Sequence, residues 1–238
     1  MPHLPPQVLH TFKKKDMEAP IHFNTENVIE TFKSFILDKS HPCVMAKSVF
    51  MGDNYDLHTY NKLGSPLVAE QMIKDIENYI ENYDFDDNIF KSFIAVFPEQ
   101  EIVSEIEFEN LLWRQLQFLH EKDNTPWDDR VSDDPDSANF SFSLAGRAFY
   151  VIGMHPKSSR MARQTPWPAL VFNLHAQFEK LREMGVYQKV RDRIRKRDEK
   201  LQGSINPMLE DFGESSEALQ YSGRQVSQEW KCPFHKKQ

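Results

Sequence analysis

A histidine and two arginines crowd the segment Gly153-Met-His-Pro-Lys-Ser-Ser-Arg-Met-Ala-Arg163, and a further histidine, His175, ends the apolar run that follows it. His155 precedes a proline, so its backbone is driven away from helical dihedrals and its ring leaves the chain in a fixed direction. A neutral imidazole so placed can ligate a metal or carry a proton. Arg160 and Arg163 are three residues apart, and one helical turn would set both guanidiniums on one side, where they could clamp two carboxylates or a phosphate. His175 begins a helical pattern, where a cap or a hydrogen-bonded core histidine is the plainer reading. Cys43 stands between Pro42 and a lysine, Lys47, that would favour its thiolate, although an inert buried thiol is the commoner outcome. His41 and His58 are lesser candidates. Lys47, Lys157 and Arg147 are further cations within reach of such a site.

The elements that must position these groups follow from apolar spacing. Val28, Phe32, Phe35 and Ile36 share a helical face after Asn24 or Thr25 as cap. Val44 to Phe50 reads as a strand, Gly52 to Asn54 as a turn and Tyr55 to Tyr60 as its hairpin partner. Ser65-Pro66 opens a helix whose buried stripe is Met72, Ile73, Ile76 and Ile80. Lys91 to Phe97 is a strand. Ser104 with Glu107 forms a capping-box pattern ahead of Phe108, Leu111, Leu112, Leu116 and Leu119. The acidic, proline-broken stretch 123–137 holds Trp127 and suits either a lid or plain disorder.

Phe140 to Leu144 and Arg147 to Ile152 form a hairpin about Ala145-Gly146, and Ala169 to Phe172 is another strand covered on both faces. Helices run from His175 to Met184 and from Val186 to Leu201. Short turns mixed with crossover helices predict an α/β (α+β) fold, a mixed β-sheet flanked by helices, as a single domain over 24–238. Residues 1–23, with prolines and a lysine cluster but no periodicity, read as a mobile N-terminal arm.

Lys and Arg number 29 against 36 Asp and Glu, a net charge of -7, which argues against nucleic acid as a partner. The basic run Arg191 to Arg197 reads as a solvated helix face. No run is long enough to cross a membrane, and two distant cysteines form no disulfide framework, so a reducing cytoplasm is expected. Cys232-Pro-Phe-His235 is half of a zinc motif with no second half. The tail is expected instead to pack Trp230 and Phe234 against the body. Dinucleotide and phosphate-loop fingerprints, hydrolase elbows and HExxH helices are all missing.

Four segments together carry a resemblance: the loop from Phe149 to His175, His41-Pro-Cys-Val-Met-Ala-Lys-Ser48, Tyr221-Ser-Gly-Arg224 and Trp230-Lys-Cys-Pro-Phe-His235. They resemble the YqcI/YcgG family, and within it the heme-dependent guanidine N-hydroxylases. The resemblance implies heme b, dioxygen, an external electron donor, and a substrate that is L-arginine or another small guanidine or amine. It implies His155 as the iron ligand, with Arg160, Arg163, Lys47 and Lys157 toward the heme propionates. Cys43 is the rival thiolate donor, and His175 would carry a proton on the opposite side. Other heme-dependent amine oxidation, peroxidase-like activity and non-catalytic heme sensing stay open, as does a homodimer.

Overall fold

A computed structural model describes residues 24–237 except 209 and 228. The expected arm over 1–23 lies outside the described residues. Helix α1 (Thr25–Leu37) starts where the Asn24 side chain accepts from the Glu26 amide, and it buries Val28, Phe32 and Ile36. The segment expected to be a strand is instead helix α2 (Val44–Met51), capped by Cys43, whose Sγ accepts from the Ala46 amide at 3.3 Å. A short apolar run does not distinguish strand from helix by periodicity. Here Met, Ala and Lys favour the helix, and only Val49 and Phe50 are fully buried.

Strand β1 (Tyr55–Thr59) therefore has no hairpin partner before it. It pairs in parallel with β2 (Ser92–Val96), Leu57 opposite Ile94, and α3 (Pro66–Glu81) lies in the connection that a parallel pair requires. Helix α4 (Glu105–Lys122) has its expected cap: Ser104 Oγ accepts from the Glu107 amide at 3.1 Å, and the Glu107 carboxylate reaches back to the Val103 amide at 2.7 Å. The remaining strands are β3 (Phe142–Leu144), β4 (Arg147–Met154) and β5 (Ala169–Leu174). The five strands lie in the order β1-β2-β5-β4-β3, and every pairing except β1 with β2 is antiparallel. The turn between β3 and β4 places Ala145 at φ 51 and Gly146 at φ 70, the conformation of a two-residue hairpin turn.

All five residues of β2 are buried, as expected of a strand with both faces covered. On one face, Phe93, Phe172 and Phe149 pack with Met72 and Ile76 of α3 and with Phe108 and Leu112 of α4. On the other, Ile94, Val171 and Met154 meet Val28, Phe32 and Ile36 of α1 and Val49 and Phe50 of α2. Helices α5 (His175–Glu183), α6 (Tyr187–Gln202) and the short α7 (Ala218–Tyr221) complete the fold. The result is the expected mixed sheet flanked by helices.

The stretch 123–137 is irregular but fastened. Asp123 Oδ2 accepts from the Ala145 amide at 2.8 Å, and Asp128 Oδ2 accepts from the Ala148 amide at 2.9 Å. Against burial, the Arg130 guanidinium and the Ala148 and Arg130 amides hold the Asp128 carboxyl at about 2. The tail packs as expected: Phe234 is buried beside Trp127, Phe140 and Phe142, and Trp230 faces Trp113. Among the described residues, no helix is long and apolar enough to cross a membrane.

Candidate functional site

The second face of the sheet, together with α1, α2, α5 and α6, encloses a cavity of about 300 Å³. Apolar side chains such as Phe32, Phe50, Phe178 and Ile152 supply much of its wall, and histidine, arginine and carboxylate side chains line the rest, a combination suited to a small polar molecule. Because β4 and β5 are antiparallel, with Tyr150 opposite Asn173 and Met154 opposite Ala169, the chain leaves them at opposite ends of the sheet. The loop after β4 forms one end of the cavity, and the start of α5 forms the other.

His41, Cys43, Arg160 and Arg163 meet at the first end. The His41 ring is buried edge-on against Phe35, centroids 5.4 Å apart, and neither of its nitrogens makes a well-formed hydrogen bond. The Ala162 carbonyl faces it, but burial dominates and holds the imidazole down to about 4, so it is neutral. Arg197 of α6 fixes this segment by donating to the carbonyls of Lys39, His41 and Pro42. Part of the basic run is thus a clasp, and Arg191 likewise pairs with Asp211. Burial raises the Cys43 thiol, opposed by the Ala46 and Met45 amides.

Arg160 precedes and Arg163 ends a single 3-10 turn over Met161–Arg163, and both line the cavity, but their guanidiniums diverge. Arg160 donates to Asp198 Oδ2 at 2.5 Å and to Ser204. Arg163 donates to the carbonyls of Gly153, Gln220 and Tyr221, and burial lowers its pKa. They do not form a joint clamp, because each closes a different seam of the fold.

His155 is fully buried but is not part of the cavity wall. Its ring stacks on Phe108 of α4 at 4.2 Å. Nδ1 accepts from the Lys157 amide at 3.2 Å, Nε2 is without a hydrogen bond, and burial holds the ring at about 4. Lys157 is exposed, and Lys47 donates to the carbonyls of Asp38 and Lys39; neither lines the cavity.

His175 stands at the second end. Its Nε2 lies 3.1 Å from Glu179 Oε1, its Nδ1 lies 3.9 Å from Glu217 Oε1, and Phe212 meets it edge-on at 4.4 Å. Burial lowers its pKa. Glu217 is 4% exposed, and burial pushes its carboxyl up to about 8 even though Ser141 and the Tyr221 hydroxyl bond to it. Sequence reasoning missed Glu217 and Asp198. Each lies in a segment of unremarkable composition and becomes conspicuous only through burial.

A family model for the YqcI/YcgG family matches residues 32–235. The chain belongs to the YqcI/YcgG family. It is 26% identical over 212 residues to uncharacterized protein YqcI of Bacillus subtilis (strain 168), covering 84% of this chain and 82% of that one. It is 26% identical over 209 residues to uncharacterized protein YcgG of the same strain, covering 81% and 80% respectively. No solved structure matches. The YqcI/YcgG match contains every polar group of the cavity named above. Among the described residues, no three His, Cys, Asp or Glu side chains gather to hold a bare metal ion. A heme iron asks less of the chain, namely one axial donor in an apolar slot.

Proposed function

We propose that this chain is a heme b monooxygenase that hydroxylates a guanidine nitrogen of L-arginine or a related compound, using dioxygen and an external electron donor. The observation that supports it best is His41: a neutral, buried imidazole in the wall of the cavity, with neither nitrogen in a well-formed hydrogen bond. Such a nitrogen suits an axial donor. His155, the ligand implied by the resemblance, packs against Phe108 outside that wall, so we assign the axial role to His41. Cys43 is the alternative at the same end, but burial disfavours its thiolate.

Bound heme would supply the activation of dioxygen. The protein's share is positional. Propionates at the His41 end would meet the positive charge of Arg160 and Arg163, whose guanidiniums are already fixed by Asp198 and by backbone carbonyls, between aromatic walls. His175, oriented by Glu179, is the proton-carrying group at the far end. The free cysteines are consistent with a cytoplasmic enzyme.

Protein expressed with adequate heme should show a Soret band that His41→Ala abolishes and His155→Ala leaves in place. A carbon monoxide complex of thiolate type would move the axial role to Cys43. The absence of any Soret band, or of a one-oxygen mass gain on arginine with reductant and air, would sink the reading.

A further inference from the structure

We propose that Glu217 is the cation-recognition residue of the cavity, seating a planar guanidinium or amidinium beside His175. This deepens the proposed function and rests on it for the substrate class.

The acids that line the cavity differ in how they are neutralised. Asp198 is paired with Arg160, Asp211 with Arg191, and Glu210 is exposed. Glu217 is buried, and among the described residues no lysine or arginine forms an ion pair with it. Its neighbour His175 is also buried, and the Nδ1 atom turned toward Glu217 has no hydrogen-bond partner. A carboxyl group and an imidazole nitrogen, both shielded from water and incompletely matched, stand together in a wall that Arg182 also lines. Burying such groups is costly unless something completes them. Phe178 and Tyr150 line the same cavity and supply aromatic rings for a flat cation, while Phe212 already meets His175 and the Arg182 guanidinium.

Burial, against most of the groups around it, favours the neutral form of Glu217 when the cavity holds no cation. On α5, Glu179 raises its pKa and Arg182 lowers it; Tyr221 on α7 and Ser141 bond to it; Tyr150 on β4 is coupled to its charge. Burial outweighs these and leaves the carboxyl at about 8. An arriving cation favours the carboxylate, so the carboxyl proton leaves to solvent as the ion pair forms. Affinity for the cation should therefore rise with pH up to about 8.

Calorimetric titration of the full chain, carrying whatever heme it binds, with L-arginine and with the uncharged isostere L-citrulline tests the assignment. Arginine should bind more tightly than citrulline, and buffers of different ionisation enthalpy should reveal proton release near neutral pH. Glu217→Gln should lower arginine affinity about thirtyfold, the worth of a charge-assisted bond, and citrulline affinity by far less. Equal binding of the two ligands, or arginine affinity unchanged in Glu217→Gln, overturns the proposal. If the variant does not fold, ligand preference and proton release in the natural chain decide it. Heme-loaded protein that hydroxylates arginine yet binds it equally well as Glu217→Gln refutes the role of Glu217 alone, whereas a chain that takes up no heme but binds arginine through Glu217 refutes the heme reading alone.

Discussion

Arg160, in the loop after β4, and Asp198, near the end of α6, form an ion pair at 2.5 Å with side chains only 10% and 7% exposed. The pair ties the loop to the helix, and the same Asp198 oxygen also accepts from the Asn206 amide at 3.3 Å. Asp198→Ala would leave a buried guanidinium without its counter-charge and should cost about 3–5 kcal/mol. Replacing both partners with apolar residues of similar volume should restore most of that loss. Urea unfolding of the single and double variants measures both, and a single-variant loss under about 1 kcal/mol would show that water already screens the pair.

Gly153 should resist even a methyl group. A Cβ there would sit 2.6 Å from Phe108 Cε1, 2.8 Å from Leu112 Cδ1 and 2.8 Å from the Tyr221 carbonyl. Gly153→Ala should lower stability by about 1–3 kcal/mol through overpacking. Because the Gly153 carbonyl also accepts from Arg163, the strain should reach the loop. Thermal melting together with amide exchange over 155–165 reads both effects, and an unshifted melting curve would mean that the α4 seam yields freely.

Acid should weaken the fold through its buried imidazoles. His41 and His155 titrate at about 4 in the fold, against about 6.5 in an unfolded chain. As pH falls, the unfolded state binds these protons first. Their contribution is full above about 6.5 and is lost toward 4, each with a limiting slope of about 1.4 kcal/mol per pH unit. Glu217 acts in the opposite sense: raised to about 8, it contributes fully at low pH and less as pH rises through that value. Between pH 7 and 5, the natural chain should lose more stability than His155→Gln. A difference between the two that stays constant with pH contradicts the assignment.

Both thiols should label slowly in the folded protein. Burial raises Cys43 and pushes Cys232 up to about 12, so little thiolate is present near neutrality. A chromogenic disulfide reagent at about pH 8 should react at least tenfold more slowly than with free cysteine, and should count two thiols per chain once the protein is denatured. Rapid labelling of Cys43 in the native state would instead point to an activated thiolate at the start of α2.

The parts of the fold that local patterns govern were legible. Asn24 and Ser104 announced their helices, Ala145-Gly146 its hairpin, and the Met72 to Ile80 stripe its buried face. The failures lay where the deciding contacts are distant. Val44 to Phe50 carries too short an apolar run to separate helix from strand, and the parallel pairing of β1 with β2 depends on residues beyond α3. The cavity drew together His41, Arg160, His175 and Glu217 from well-separated segments. His155 and Arg160 were rightly placed in one loop, but which side of the sheet each faces is settled by Phe108 and Asp198.

Among the described residues, the sheet ends at β1 on one side and at the three-residue β3 on the other. On β1, Asp56 and His58 pair with each other at 2.9 Å. Short length and charge are the devices that discourage a strand edge from recruiting another chain. The hairpin that contains β3 is further bound by Asp123 and Asp128. Concentrated solutions of this protein should therefore resist growth into cross-β assemblies, and any self-association should proceed through helical surface, leaving the sheet closed to extension.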